Sequence, residues 1–148
     1  MAAFNKFNLF TQGLVRGDHN LNSNVVRVAL YTGATAPAAT DQNYAATLAG
    51  GAAEVANGNG YTTTGNSGGA SISSNSTGTE TVRTTSAIPT WTASGAGFSV
   101  RYAVAYNDTN VNKRLIGWWD YGSSVTLSGT NGDTFSVTGL NTSLFTLV

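Results

Sequence analysis

The segment Phe98-Ser-Val-Arg-Tyr-Ala-Val-Ala-Tyr106 alternates large apolar side chains with small or polar ones. An apolar period of two is typical of a β-strand whose two faces meet different surroundings. Aromatic rings bury large apolar areas, so we expect the face that carries Tyr102 and Tyr106 to lie in a core. The small alternate residues, Ala103 and Ala105, are expected to lie beneath a loop or a neighbouring subunit.

The segment Arg114–Tyr121 predicts a second strand with apolar side chains on both faces. Leu115, Trp119 and Tyr121 share one face, and Ile116 and Trp118 share the other. A strand that is wet on one side rarely carries aromatic residues on both, so we expect the Trp118 or Trp119 side to contact something outside a two-layer core. Our candidate partner-binding residues are therefore this pair and the aromatic residues of the first segment: Phe4, Phe7, Phe10, Trp118 and Trp119.

Further elements follow from periodicity and turn residues. We predict strands at Val25–Tyr31, Gly60–Thr64, Thr79–Thr85 and Leu144–Val148, and a hairpin of Val125–Ser128 with Thr134–Thr138 around Asn131-Gly132. We predict helices at Phe4–Leu14, ended by Gly17, and at Tyr44–Leu48. Together these elements predict an all-β fold, an antiparallel β-sandwich or jelly-roll-like arrangement with a short N-terminal helix.

The length of 148 residues fits one domain. We therefore predict a single β domain over residues 1–148, with an N-terminal helix or arm at 1–24 and a long loop region at 65–89, which is rich in Gly, Ser and Thr.

Composition excludes several classes of function. Charged residues make up 9% of the chain, the net charge is zero and the basic residues are scattered, which argues against a nucleic-acid partner. No cysteine is present and His19 is the only histidine, so disulfides, thiolate zinc sites and multi-histidine sites are excluded. No signal peptide and no long apolar run are visible, so we expect a soluble protein made in the cytoplasm, without a membrane partner.

Three short motifs resemble catalytic or metal-binding patterns. Gly65-Asn-Ser-Gly-Gly69 matches the nucleophile elbow, but the only histidine precedes Ser67, and the expected strand and helix contexts are missing, so we predict a loop. Asp108-Thr-Asn-Val-Asn112 opens like a calcium loop but lacks its glycine and glutamate, so we predict a turn, with an irregular cation site at Asp108 as the alternative. Asp18-His19 is expected to be a helix cap or a surface pair. We expect no catalysis, no small-molecule substrate and no metal or other cofactor.

The aromatic residues leave one binding function open. Trp91, Trp118, Trp119, Tyr102, Tyr106 and Tyr121 would form a sugar-stacking platform if they were exposed, as in carbohydrate-binding β-sandwich modules. Tryptophans in a small β domain more often lie in the core or at a subunit contact.

Several segments together resemble a family of small structural proteins of tailed bacteriophages. They are Phe4-Asn-Lys-Phe-Asn-Leu-Phe10, Leu14 with His19-Asn-Leu21, Val28-Ala-Leu-Tyr-Thr32, Gly58-Asn-Gly-Tyr-Thr62, Arg101-Tyr-Ala-Val-Ala-Tyr-Asn-Asp108 and Leu115-Ile-Gly-Trp-Trp-Asp-Tyr-Gly-Ser123. The resemblance covers most of the chain and thins through residues 67–89. It implies a non-enzymatic virion component and assigns no catalytic residue.

The resemblance and the composition lead to the same hypothesis. We expect a capsid decoration or cement protein that binds the major capsid protein lattice in the virion, as a homo-oligomer such as a trimer. A charge-poor protein attached through apolar and hydrogen-bonded contacts is less sensitive to ionic strength than one attached through exposed ion pairs. The alternatives are a tail or fibre-associated virion protein and a carbohydrate-binding module.

Overall fold

The computed structural model of the chain describes residues 2–67, 71–74, 80–83, 89–137 and 145–147. These residues form antiparallel strands and one short helix near the N-terminus, which confirms the predicted all-β class. In chain order the elements are β1 (Ala3–Lys6), α1 (Asn8–Arg16), β2 (Val26–Thr32), β3 (Ala53–Glu54), β4 (Asn66–Ser67), β5 (Ser71–Ser74), β6 (Glu80–Arg83), β7 (Thr90–Thr92), β8 (Phe98–Asn107), β9 (Leu115–Leu127), β10 (Thr134–Ser136) and β11 (Phe145–Leu147).

A six-stranded sheet forms the centre of the fold. The strands β1, β9, β8, β2 and β3 lie side by side in that order, and β4 also pairs with β2. Two smaller sheets consist of β10 with β7, and of β11, β6 and β5. The longest strands are β8, with 10 residues, and β9, with 13. Because β9 lies between β1 and β8, Trp118 and Trp119 are on an interior strand and not at a sheet edge.

Both faces of the central sheet are covered by other parts of the same chain. On one face, Trp119 shares a core cluster with Trp91 of β7, Phe135 of β10 and Phe10 of α1. Two sheets therefore share one core, as they do in a β-sandwich. On the opposite face, Trp118 shares a second cluster with residues of the irregular segment 36–52. These residues are Ala36, Ala39, Tyr44, Leu48 and Ala52.

Register shifts in the β8–β9 pair change which residues share a face. One shift lies between Val100 and Tyr102. An extra residue at a bulge reverses the alternation beyond it, so Val100 packs in the cluster of Trp119 while Tyr102 packs in the cluster of Trp118. The sequence predicted one common face for the large residues from Phe98 to Tyr106. That prediction is wrong, because the large residues before the bulge and those after it pack on opposite faces of the sheet. Ala103 and Ala105 are buried in the chain's own core and need no neighbouring subunit to cover them.

A second shift, between Ala105 and Tyr106, changes the faces at the start of β9. Leu115 packs in the cluster of Trp118, and Ile116 packs in the cluster of Trp119. The sequence had predicted the reverse for these two residues, because strict alternation takes no account of a bulge.

The first segment begins as a strand and continues as a helix. β1 pairs with Gly117–Asp120 of β9, so the start of the predicted Phe4–Leu14 helix is wrong. Backbone groups along that side of β9 require hydrogen-bond partners, and a strand supplies them where a helix does not. The rest of the prediction is confirmed, since α1 ends at Gly17, whose left-handed φ of 80° lets its N–H bond back to helix carbonyls.

The predicted C-terminal hairpin has the right turn and the wrong partner. Around Asn131-Gly132 the Asp133 N–H donates to the Ser128 carbonyl at 3.1 Å, and Gly132 has a φ of 62°. β10 nevertheless pairs with β7 and not with the end of β9. A turn signal determines local chain reversal, but it does not determine which distant strand completes the sheet.

Two other short elements differ from their prediction. Tyr44–Leu48 is not helical, and Asn43 and Thr47 instead form isolated bridges to Arg114 and Ala53. Gly60–Thr64 is not a strand, since Tyr61 pairs only with Gly58 across a tight turn.

The segment 65–89, predicted as a long loop region, contains the strands β4, β5 and β6 in its described part. β6 confirms the predicted strand at Thr79–Thr85, and β11 confirms the one at Leu144–Val148. β6 pairs with both β5 and β11. The remaining parts of the predicted loop, 68–70, 75–79 and 84–88, lie outside the described residues.

Tyrosine hydroxyls form a hydrogen-bond network around one carboxylate of β3. Glu54 accepts hydrogen bonds from the Tyr61 hydroxyl at 2.6 Å, from the Thr64 N–H at 2.7 Å and from the Tyr44 hydroxyl. The Tyr61 hydroxyl also accepts the Leu30 N–H at 3.0 Å. The Glu54 carboxylate and the hydroxyls of Tyr44 and Tyr61 are therefore all hydrogen-bonded, as polar groups in a partly buried network need to be.

Candidate functional site

The side chains that the sequence indicated as partner contacts lie mostly inside the chain. Phe7 and Phe10 are fully buried, Trp118 and Trp119 expose 8% and 4% of their surface, and Phe4 is half-buried. Four of these five side chains are therefore buried within the chain itself, which leaves little exposed surface of Trp118 or Trp119 for a partner.

These rings pack against each other. The ring centroids of Phe7 and Trp118 are 4.6 Å apart, and those of Phe4 and Trp119 are 5.1 Å apart. Offset and tilted aromatic pairs at such distances add to the stabilisation from burial alone. Apolar residues on both faces of β9 thus reflect two internal core clusters, which the sequence interpretation had assigned to an external partner.

Five of the six rings considered for a sugar-stacking platform are buried, and Tyr121 is half-buried. Trp91 exposes 2% of its surface, and Tyr102 and Tyr106 are buried like the other two tryptophans. A stacking platform needs an open ring face, and none of these five rings has one.

One end of the molecule brings the N-terminal region against the turn between β8 and β9. The buried side-chain amide of Asn107 donates to the Asp18 carbonyl at 3.0 Å and to Asn24 Oδ1 at 2.7 Å. Its oxygen accepts the N–H groups of Thr109 at 3.1 Å and Asn110 at 3.2 Å. Residues 18–25 and 107–114 are therefore held together, and we call them, with the adjoining residues 15–17 at the end of α1, the turn end.

Three of the four exposed large apolar side chains that the structure describes belong to residues of the turn end. Val111 is 90% exposed at the tip of the turn, and Val15 is 86% exposed on α1. Val25 is 43% exposed, and its carbonyl accepts the Asp108 N–H at 2.9 Å, which places it beside the same turn. Among side chains that the structure describes, the other exposed large apolar residue is Val125 in β9.

A polar cavity of about 210 Å³ opens between α1 and the start of β9. It is lined by Leu9, Gln12, Arg16, Asp18, His19, Gln42, Arg114 and Leu115. Helix α1 supplies one wall because it packs on β9, and segment 42–44 supplies another because the Leu115 N–H donates to the Gln42 carbonyl at 3.0 Å. No local pattern in the sequence unites these residues, since Gln42 and Arg114 are 72 positions apart.

His19 forms the buried wall of this cavity. Its ring packs edge-on against Phe10, and its Nδ1 lies 3.4 Å from the Asn107 amide nitrogen. Burial lowers the pKa of His19, the Asp18 carboxylate raises it, and the Arg114 guanidinium lowers it. The His19 ring is therefore neutral at pH 7. The ring fits beside α1 because residue 13 is a glycine, since a Cβ on Gly13 would lie 2.7 Å from His19 Cδ2. The prediction of a surface residue is wrong for His19, which is 6% exposed.

The motif at residues 108–112 is a turn, as predicted. Lys113 Nζ donates to Asp108 Oδ1 at 2.7 Å, and the Arg27 Nη1 lies 3.9 Å from the other carboxylate oxygen. A carboxylate with two cationic neighbours is poorly placed to bind a metal ion. Within the described ranges, no three His, Cys, Asp or Glu residues are grouped closely enough to hold a metal.

The Ser67 motif does not form a nucleophile elbow. Ser67 lies in β4 opposite Arg27, and the next described element, β5, is a strand and not the helix that an elbow requires. The ring of His19 has Asn107 as its side-chain hydrogen-bond partner.

In the described residues, no helix is long and apolar enough to cross a lipid bilayer. Comparisons of the chain with protein-family models, with curated proteins and with solved structures found no match.

Proposed function

We propose that this chain is a non-enzymatic structural protein of a tailed-phage virion, a capsid decoration protein that binds the major capsid protein lattice as a homo-oligomer, with a trimer as the expected form. The proposal rests on the sequence resemblance to such proteins together with the surface of the turn end. The proposed contact surface is the turn end, and no longer the side chains of Trp118 and Trp119, which are buried.

The observation that carries the proposal is the exposure of Val15 and Val111 at the turn end. Most other large apolar side chains that the structure describes are packed into two core clusters, and Val25 and Val125 are exposed to a smaller extent, 43% and 38%. We propose that Val15 and Val111 contribute to one apolar patch, since such patches are typical of protein contact sites. A contact of this kind depends little on ionic strength, which suits a protein that remains attached outside the cell.

Binding to empty capsid shells tests the proposal. We expect the purified protein to co-sediment with shells. The double change Val15→Ser and Val111→Ser should weaken that binding by about tenfold or more, since each exposed valine loses apolar surface that the contact with the shell would bury. The change Val125→Ser is the matched control, because it removes an exposed valine outside the turn end, and it should bind like the unchanged protein. Equal binding of all three proteins would remove the turn end as the contact surface.

The position in the particle and the oligomeric state need separate measurements. Immunogold labelling of virions should mark the head, whereas labelling of the tail would favour the alternative of a tail or fibre-associated protein. Analytical ultracentrifugation should show an oligomer. A monomer without affinity for shells would contradict the proposal.

A further inference from the structure

We propose that the cavity between α1 and β9 is a binding site for a small oxyanion, a carboxylate or a phosphate group, with Arg114 as its principal contact. This site goes beyond the proposed function and does not depend on it.

The charges that line the cavity favour an anion. Arg16 and Arg114 contribute two positive charges and Asp18 contributes one negative charge, while the buried His19 is neutral. In the part of the chain that the structure describes, neither arginine has a carboxylate within 4.0 Å. The cavity therefore carries one net positive charge that no ion pair among the described residues neutralises.

The guanidinium of Arg114 is only partly satisfied by the protein. Its Nη1 donates to Asn43 Oδ1 at 3.1 Å and to Gln42 Oε1 at 3.4 Å, which are both neutral amide oxygens. Its buried Nε has no hydrogen-bond partner. A guanidinium pairs best with two oxygens of one carboxylate or phosphate through Nε and a terminal nitrogen. The long contact to Gln42 can be given up when the side chain turns its Nε towards an anion.

The remaining walls suit a small polar ligand. Gln12 and Gln42 bring side-chain amides to the cavity, and Leu9 and Leu115 add apolar surface. The volume of about 210 Å³ exceeds what one water molecule needs and is small for a drug-sized ligand. An acetate or phosphate ion with its remaining hydration water matches this size.

Nuclear magnetic resonance titration of the whole chain tests the proposal. Sodium acetate and sodium phosphate are added in separate arms at constant ionic strength, with sodium chloride as the reference salt. We expect saturable shifts of the backbone amides of Arg16, Asp18, His19 and Arg114 with at least one of the two oxyanions. The oxyanion with the lower dissociation constant identifies the preferred group. Linear shifts that match those of chloride in both arms would overturn the proposal.

Variants locate the site. Arg114→Gln should weaken oxyanion binding about tenfold or more because it removes a charged donor. Arg16→Gln, at an exposed position in the last turn of α1, should weaken it by a smaller factor and keeps the test valid if the first variant does not fold. Lys6→Gln removes the same charge outside the cavity and should bind like the unchanged protein. If Lys6→Gln weakens binding as much as Arg114→Gln, the effect is one of overall charge and the site is refuted.

Discussion

Gly117 lies in β9 where β1 pairs with it, and the space beside its Cα is too small for a side chain. A Cβ at this position would lie 2.3 Å from the Phe4 ring and 2.6 Å from the Asn5 carbonyl oxygen. The half-buried Phe4 ring can therefore pack on Trp119 only because residue 117 is a glycine. One small residue in the motif Gly117-Trp-Trp119 thus allows the first segment to join the central sheet.

We predict that Gly117→Ala lowers the free energy of unfolding by about 1–3 kcal/mol, the usual range for overpacking. The clash involves backbone as well as a ring, so a side-chain rotation alone cannot relieve it. Urea unfolding monitored by circular dichroism measures the change. Ser124→Ala, at an exposed position of the same strand, is the control and should stay within about 0.5 kcal/mol of the unchanged protein. Equal stability of both variants would show that β1 does not pack on Gly117.

The burial of the three tryptophans leads to a spectroscopic prediction. Trp91, Trp118 and Trp119 each expose 8% of their surface or less, so acrylamide should quench their fluorescence much less than that of N-acetyltryptophanamide. Quenching should rise to the level of the free compound after unfolding in guanidinium chloride. Strong quenching of the folded protein would instead restore the exposed aromatic edge that the sequence suggested.

At the scale of elements, the turn between β8 and β9 depends on one buried amide. Asn107 donates to Asp18 and Asn24 and accepts from Thr109 and Asn110, so it joins two regions more than 80 residues apart. A buried network in which every member is paired is stable, but removal of its centre leaves several groups without partners.

We predict that Asn107→Ala lowers the free energy of unfolding by about 2–4 kcal/mol, because several buried donors and acceptors lose their partners together. Differential scanning calorimetry should show a clear loss in Tm. Asn112→Ala removes an exposed amide from the same turn and should change stability little. A loss confined to Asn112→Ala would refute the assigned role of Asn107.

The strands and the helix also show which elements a local sequence pattern can predict and which it cannot. Alternation identified β2, β8 and β9, and helical spacing with Gly17 identified most of α1, because those signals are local. Three other features depend on partners far along the chain, and no local pattern predicts them. They are the bulge after Val100, the pairing of β10 with β7 and the strand at Ala3–Lys6. The cavity at Arg114 was missed for the same reason. Burial of Trp118 and Trp119 was misread because the irregular segment 36–52, which covers one face, has no periodic apolar signal of its own.

At the scale of the whole molecule, buried tyrosines make stability depend on alkaline pH. Burial raises the pKa of Tyr31, Tyr44, Tyr61 and Tyr102, and it raises that of Tyr106 to about 12. The Glu54 carboxylate adds to the effect for the tyrosines whose hydroxyls donate to it, Tyr44 and Tyr61. The unfolded chain, in contrast, has tyrosines with a pKa of about 10.

The unfolded chain therefore releases tyrosine protons at a lower pH than the folded chain does. The stabilisation from neutral buried tyrosines is fully present below about pH 10 and is lost as the pH rises towards the folded-state values. Each tyrosine that ionises only in the unfolded chain lowers the free energy of unfolding by about 1.4 kcal/mol per pH unit above that point. We predict constant stability from this source between pH 7 and about pH 9 and a steep decline above about pH 10.

Urea unfolding at a series of pH values, with tyrosinate absorbance recorded in parallel, measures this decline. Tyr106→Phe should be less stable at neutral pH by about 1 kcal/mol, because the hydroxyl no longer donates to the Thr64 carbonyl at 2.8 Å. Its stability should fall less steeply above pH 10, by about 1.4 kcal/mol per pH unit, since one titrating group is gone. Ser124→Ala keeps every tyrosine and should retain the full slope. A slope that is the same for Tyr106→Phe and for the unchanged protein would contradict the raised pKa of Tyr106 in the folded chain.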